Sequence, residues 1–146
     1  FDTDMVGPYG YCADISRTFV CGNDFNNTQK ELYSMSLEQI NHNSNLIKAD
    51  MSFKEFTEKS WKLPEEYYGN RYSVMVHGIG LCDEWPSIRY PTDGGDKSGR
   101  FLKNMTITVE SYIGKVGGKE GVKLEQQYLV GENGLELMSH HPLENI

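Results

Sequence analysis

Cysteine is scarce in this chain. Cys12, Cys21 and Cys82 are odd in number and lack paired spacing, which argues against a disulfide framework and leads to the expectation of reduced thiols in a cytoplasmic protein. Long apolar runs are missing too: nothing approaches the ~18 residues of a membrane-crossing helix, and no charged-then-apolar leader is evident. Basic clusters are the third absence. Fourteen Lys and Arg stand against 21 Asp and Glu, for a net charge of -7, so nucleic acid and anionic membrane surfaces are poor partners and a small molecule is the better one. Repeats and low-complexity segments do not occur. Asn26-Asn27-Thr28 and Asn104-Met105-Thr106 match the glycosylation pattern, but without a leader they are expected to be chance matches.

What is present is globular: 146 residues, 38% hydrophobic and 12% aromatic, enough for one domain with a real core. The chain opens at Phe1 without an initiator Met and runs straight into a strand-like segment. A strand carrying buried ligands normally has sheet neighbours on both sides, so residues 1–146 are expected to be part of a longer protein.

The opening stretch, Phe1-Asp2-Thr3-Asp4 through Cys12-Ala13-Asp14-Ile15-Ser16-Arg17-Thr18-Phe19, organises the rest. Residues two apart on a strand face the same way, and Gly7-Pro8-Tyr9-Gly10 reads as the turn that brings a second strand back, so Asp2, Asp4 and Asp14 are expected to crowd one spot. Like charges that close are unfavourable unless a cation sits among them, which points to metal; the alternative is a solvated acidic loop.

Further along, Thr28 with Glu31 reads as a capping box opening a helix through Leu32, Met35, Gln39 and Ile40 to about Lys48. Ser52 with Glu55 opens a shorter helix carrying Phe53, Phe56 and Trp61 on one face, ended by Pro64. These apolar positions are expected to be core against a sheet rather than cofactor contacts. Pro91 to Arg100 is rich in Gly, Asp and Pro and reads as a surface loop. Met105–Ile113 and Gly121–Val130 have the β-branched content of strands, and Asn133-Gly134 is a hairpin turn before Leu135–Met138. The fold class is therefore α+β, with two helices covering a curved, mostly antiparallel sheet.

Asp4, Asp14, His77 in a His-Gly-Ile-Gly turn, Glu110 and Glu125 follow one another in chain order. A lone His beside glycines is more often a satisfied structural residue than a ligand. In this order, however, and with Asp-Ile-Ser-Arg-Thr-Phe and His-Gly-Ile-Gly-Leu, the chain resembles the pita-bread metallopeptidase superfamily of methionine aminopeptidases, prolidases, Xaa-Pro aminopeptidases and creatinase. The resemblance covers essentially the whole chain and implies the C-terminal half of that catalytic domain. It also implies a two-metal site on Asp4, Asp14, His77, Glu110 and Glu125. With Asp2 added, five carboxylates and one imidazole would nearly balance two divalent ions. Oxygen-rich ligation with one His suits iron, manganese, cobalt or zinc, and ligand identity alone does not choose among them; iron is the expected ion. The resemblance further implies a homodimer.

The departures from the peptidase pattern carry information. Val76 precedes His77, Ser111 follows Glu110 where Pro is usual, Gln126 follows Glu125 where an acid is common, the Asp4 to Asp14 spacing is one residue short, and Asp2 is extra. Asp83 stands where the peptidases have a second His, and an anion there would repel the oxyanion of peptide hydrolysis. These features resemble one branch of the superfamily, the lyases that cleave dimethylsulfoniopropionate to dimethyl sulfide and acrylate. The shared features are Asp-Thr-Asp, Val-Gly-Pro-Tyr-Gly-Tyr-Cys-Ala-Asp, Tyr72 five residues before His77, and Leu-Cys-Asp-Glu.

That reading makes a small zwitterion the substrate and Asp83, partly desolvated beside Trp85, the base; its alternative role is a turn-capping acid. Tyr72 would orient substrate or assist proton transfer, or simply pack. Aromatic faces of Tyr72, Trp85 or Tyr68 would receive the sulfonium through cation–π attraction of about 0.5–2 kcal/mol. The rivals are a dinuclear metallohydrolase of the Xaa-Pro aminopeptidase or creatinase kind, and a non-catalytic binding domain, which would have no reason to keep all five ligand types.

Overall fold

The computed structural model describes residues 1–22 and 24–143. β1 (Asp2–Val6) and β2 (Cys12–Ser16) form the expected antiparallel hairpin, with Asp4 opposite Asp14 and Asp2 opposite Ser16. The Gly7 N–H closes the turn on the Tyr11 carbonyl at 2.7 Å.

Helix α1 (Asn27–Leu46) starts earlier than the Thr28/Glu31 pair suggests. Its capping box is made of amides: Asn26 Oδ1 accepts the Gln29 N–H at 2.9 Å, and Gln29 Oε1 accepts the Asn26 N–H at 3.0 Å. In α2 (Phe53–Lys59) the Ser52 hydroxyl accepts the Glu55 N–H at 3.1 Å, as expected. This helix stops at Lys59, before Trp61 and well before Pro64. Trp61 instead packs on the core from the connection, donating its N–H to Asn43, and Pro64 caps a further short helix, α3 (Glu65–Tyr68).

The remaining strands are β3 (Val74–Gly78), β4 (Ser87–Arg89), β5 (Thr106–Gly114), β6 (Gly121–Val130) and β7 (Leu135–Leu137). They form one sheet in the order β4-β3-β5-β6-β7, every neighbouring pair antiparallel. The α+β class with helices on an antiparallel sheet is what the sequence reading expects. His77 and Gly78, read as part of a turn, are instead the last residues of β3, paired with Ser87 and Thr108, and Gly78 with Ile107.

Side chains alternate across a strand, and here the alternation separates core from site. Ile107, Val109, Ser111 and Ile113 of β5 oppose Tyr128, Gln126, Leu124 and Val122 of β6, and α1 lies on that face. Gln39 of α1 ties into it, accepting from Ser111 Oγ at 2.6 Å and donating to the Tyr90 hydroxyl at 2.6 Å. Leu32, Tyr33, Ile40, Phe56 and Phe101 fill the layer. Each such side chain contributes about 1.5–3 kcal/mol on burial, and this layer is what offsets the cost of burying charge on the opposite face.

Candidate metal centre

The opposite face carries Thr108, Glu110 and Tyr112 on β5 and Lys123, Glu125 and Gln127 on β6, with Glu110 directly across from Glu125. His77, opposite Thr108, continues the row onto β3. The β1–β2 hairpin packs against β6, with the Asp14 N–H reaching Gln127 Oε1 and the Ser16 hydroxyl donating to Glu125 Oε2 at 2.8 Å. Three strands from distant parts of the chain and one hairpin thus converge.

His77 Nε2 lies 3.3 Å from Glu125 Oε1, 3.7 Å from Glu110 Oε1 and 3.7 Å from Asp14 Oδ2. Ligand atoms of Asp14, His77 and Glu125 all fall within 4.8 Å of one another, and all three residues are buried. His77 Nδ1 is 3.0 Å from its neighbour's carbonyl at Gly78, a contact that puts the proton on Nδ1 and leaves Nε2 facing the acids. Gly78 itself is required: a Cβ there would overlap the Trp85 carbonyl and meet the Pro86 ring at 2.8 Å.

The electrostatics are those of crowded acids. Burial, then the charges of Glu125, Asp4 and Asp2, push the Asp14 carboxyl up to about 8. Burial, then Glu125, does the same to Glu110, also to about 8. Burial works against the charged form of His77, yet Glu125, the Gly78 carbonyl and Glu110 together raise it to about 9. Glu125 is the exception. Burial would raise it, but His77, Lys123 and Ser16 outweigh that and hold it below the usual carboxylate range. A site that forces two acids to keep their protons near neutrality is one that a cation would relieve.

Each expected site residue can now be located. Asp14, His77, Glu110 and Glu125 come together in the buried cluster. Asp4 is exposed, across the hairpin from Asp14. Asp2 is exposed and already engaged: its Oδ2 accepts from Lys123 at 2.6 Å, and its Oδ1 lies 2.5 Å from the Ser16 hydroxyl, whose single proton it shares with Glu125 Oε2. Tyr72 stands at the rim, its ring centroid 5.0 Å from Lys123 Nζ; burial and then the Glu110 charge push its hydroxyl up to about 12. Asp83 lies in the β3–β4 connection and is exposed, and Trp85 is 64% exposed, so the expected desolvation of Asp83 beside Trp85 is not found. Tyr68 is engaged elsewhere. Its ring carries the Arg71 guanidinium at 3.8 Å, its hydroxyl bonds Thr92 Oγ1 at 2.7 Å, and Arg71 is in turn paired with Asp93, so the face expected to receive a sulfonium is occupied.

Three residues escaped sequence reasoning. Ser16 bridges Asp2 and Glu125, and Lys123 reaches into the acids. Both were within reach of the period-two rule, since Ser16 is two residues from Asp14 and Lys123 two from Glu125. Arg17 is a third, buried beside them with its N–H groups on the carbonyls of Ser16, Glu125, His141 and Pro142 and on Gln126 Oε1.

The residues fit a divalent metal ion. Four buried carboxylate oxygens, Asp14 Oδ1, Glu110 Oε1 and Oε2 and Glu125 Oε1, have no hydrogen-bond partner among the described residues. Buried polar atoms are ordinarily satisfied, so orphaned oxygens around one imidazole nitrogen are the donor set of a metal centre. No helix among the described residues is long and apolar enough to cross a membrane.

Comparison with known proteins agrees with this geometry. Dimethylsulfoniopropionate lyase DddP of Roseovarius nubinhibens is 36% identical over 99% of this chain and 33% of its own length. The DddP of Roseobacter denitrificans is 35% identical with the same coverage. An Xaa-Pro dipeptidase of Pyrococcus furiosus is 34% identical over 88% of this chain and 36% of its own. The chain therefore spans about a third of the length of the curated relatives it matches. Among solved structures, the prolidase from Pyrococcus horikoshii OT3 superposes with a TM-score of 0.74 at 28% identity, covering 93% of this chain and 38% of that one. The prolidase from Pyrococcus furiosus gives 0.72 at 31% identity, covering 87% and 36%. Both bear out the pita-bread expectation. The sequence pattern of metallopeptidase family M24 matches residues 1–132, and with the buried carboxylate and imidazole cluster in place this chain belongs to that divalent-metal family.

Proposed function

We propose that the protein is a carbon–sulfur lyase that cleaves dimethylsulfoniopropionate to dimethyl sulfide and acrylate. The reading is carried by Asp83, an acid in the β3–β4 connection just after His77, where the peptidase pattern would have an imidazole. The similarity to two lyases along 99% of the chain supports it. Asp83 accepts the proton from the carbon beside the substrate carboxylate, that C–H pair becomes the new double bond, and the C–S bond breaks with its pair moving to sulfur. The products are dimethyl sulfide, acrylate and a protonated Asp83, so the step balances. Its exposure leaves Asp83 open to an arriving substrate.

Asp4, Asp14, His77, Glu110 and Glu125, with Asp2, would hold two divalent ions, which when bound supply positive charge next to the carboxylate whose neighbouring C–H becomes acidic. Tyr72 keeps its proton at neutral pH and so acts as a hydrogen-bond donor at the rim. Trp85 offers an exposed ring to the sulfonium. The same reading has iron as the first metal to test, a homodimer in the cytoplasm with no nucleic-acid or membrane partner, and this chain as the C-terminal part of the catalytic domain.

The similarity to the Pyrococcus furiosus dipeptidase supports a second reading, metal-dependent hydrolysis of Xaa-Pro substrates. Headspace dimethyl sulfide from the protein given dimethylsulfoniopropionate, assayed beside Ala-Pro cleavage, separates the two. Sulfide release without dipeptide cleavage is expected, and the reverse pattern would sink the lyase.

A further inference from the structure

β7 pairs with β6 only at Tyr128–Val130. The part of β6 that carries the metal face, Lys123, Glu125 and Gln127, therefore has β5 on one side and no paired strand among the described residues on the other, and side chains take the missing strand's place. Thr18 Oγ1 accepts the Lys123 N–H at 3.0 Å and donates to the Lys123 carbonyl at 2.7 Å. Ser139 Oγ accepts the Gln127 N–H at 3.2 Å, and the Met138 N–H takes the Gln127 carbonyl at 2.9 Å. Between these two points the Glu125 carbonyl accepts from Arg17 Nη1 at 2.6 Å. Alternate residues of an antiparallel strand turn their backbone groups to the same side, so all three meet this open edge.

Arg17 is buried, and among the described residues no Asp or Glu lies within ion-pair distance of it. Its other N–H groups go to the Ser16 carbonyl at 2.8 Å, Gln126 Oε1 at 2.5 Å, the Pro142 carbonyl at 3.1 Å and the His141 carbonyl. A buried cation held by neutral acceptors alone is unfavourable, and an apolar side chain would fill the same space without that cost. What the guanidinium supplies is a junction of three segments, the end of β2, β6 and residues 139–142, at the backbone of Glu125. We propose that Arg17 is a positioning residue for the metal centre: by fixing the Glu125 backbone on the open side of β6, it sets where the Glu125 carboxylate stands relative to Asp14 and His77, and through that the affinity for metal. The inference rests on the reading that this cluster binds divalent metal. The carboxylate end of Glu125 is held by Ser16 and His77. Ser16, however, precedes Arg17 in the chain and gives its carbonyl to the same Nη1, so releasing the guanidinium loosens the ligand's backbone and its hydroxyl partner together. Metal–ligand distances tolerate only about 0.2 Å of error, which makes affinity sensitive to that release.

The test is a calorimetric titration of chelator-treated protein with Mn2+ alone, comparing wild type, Arg17→Lys, Arg17→Gln and Ile40→Ala. Arg17→Lys keeps the charge but loses the planar fork that reaches several acceptors at once. Kd for Mn2+ should rise ~10–100-fold in both Arg17 variants. Ile40→Ala opens a cavity under α1, on the opposite face of the same sheet, and should stay within ~3-fold of wild type. With Co2+ in place of Mn2+, the visible absorption bands, which report ligand geometry, should shift in Arg17→Lys and stay where they are in Ile40→Ala. Gln126→Met, which removes the Nη2 acceptor, covers the case in which neither Arg17 variant folds, and a weaker Kd is expected of it as well. Folded Arg17 variants with the wild-type Kd, an equal loss in Ile40→Ala, or a weakened Kd with unchanged Co2+ bands would each overturn the positioning role. Failure of wild type to bind Mn2+ at all would instead remove the metal reading on which it rests.

Discussion

Glu110→Gln should make the protein more stable without metal and less able to use metal. Glu110 is 1% exposed, and its carboxyl is pushed from 4.5 to about 8 by burial and by Glu125. For an acid whose pKa is raised on folding, stability is fully present below the unfolded value and is lost as pH climbs toward the folded one. At pH 7 the folded chain retains a proton that the unfolded chain has given up about 2.5 pH units earlier, which at about 1.36 kcal/mol per unit costs about 3 kcal/mol. Glu110→Gln keeps the shape and removes that proton linkage, so about 3 kcal/mol is the ceiling of the gain, reduced by any amide N–H left without an acceptor.

For a chain of this size that ceiling corresponds to about 6–12 °C in Tm. Thermal melts in chelator at pH 5, 7 and 8 are the assay. The advantage of the variant should be small at pH 5 and grow through pH 8. With Mn2+ added the order should reverse, because wild type gains stability from binding and the variant has lost a ligand. A variant less stable than wild type in chelator at pH 7, or a gap that does not widen with pH, would refute the crowded-acid account.

Other outcomes follow from the same geometry. In chelator, wild-type Tm should fall as pH rises from 5 to 9, since Asp14, Glu110 and His77 are all raised and each loses its contribution on passing through its folded value; a flat or rising profile would contradict it. Asp83→Ala should abolish sulfide release while metal content by mass spectrometry stays at the wild-type level; unchanged turnover would remove Asp83 from the mechanism. Gly78→Ala should lower Tm and metal content together, because the added methyl collides with the Trp85 backbone beside His77; retention of both would show that the connection yields. Arg17→Met should cost more than about 3 kcal/mol in denaturant melts, since several charge-assisted hydrogen bonds at about 1.5–3 kcal/mol each are lost around buried carbonyls.

Much of the site was legible because strand periodicity is local. Asp4 and Asp14, two residues from Asp2 and Ser16 on a hairpin with a Gly/Pro turn, had to share a face once the turn formed, and Glu110 and Glu125 sit on strands whose β-branched content announced them. The long-range part was supplied by resemblance, because nothing local says that β5 and β6 pair with these two acids opposite. Helix ends were less legible. Asn26 competes with Thr28 for the cap, and the amide of Gln29 answers it as well as a carboxylate would. The aromatic assignments failed at Tyr68 for a related reason: Arg71 three residues on claims the ring, a contact set by the Asp93 loop that composition does not reveal. Lys123 was overlooked because a lysine between Val122 and Leu124 reads as a solvated strand position, whereas here the face it points to is the acidic one.

Metal content per chain tests the central claim most directly. Wild-type protein, dialysed free of loose ions and analysed by inductively coupled plasma mass spectrometry, should carry close to two divalent ions, and His77→Ala and Glu125→Ala should lose most of them while remaining folded by circular dichroism. Wild type without bound ions, or folded variants that keep the full complement, would contradict the claim that Asp14, His77, Glu110 and Glu125 converge in order to hold metal.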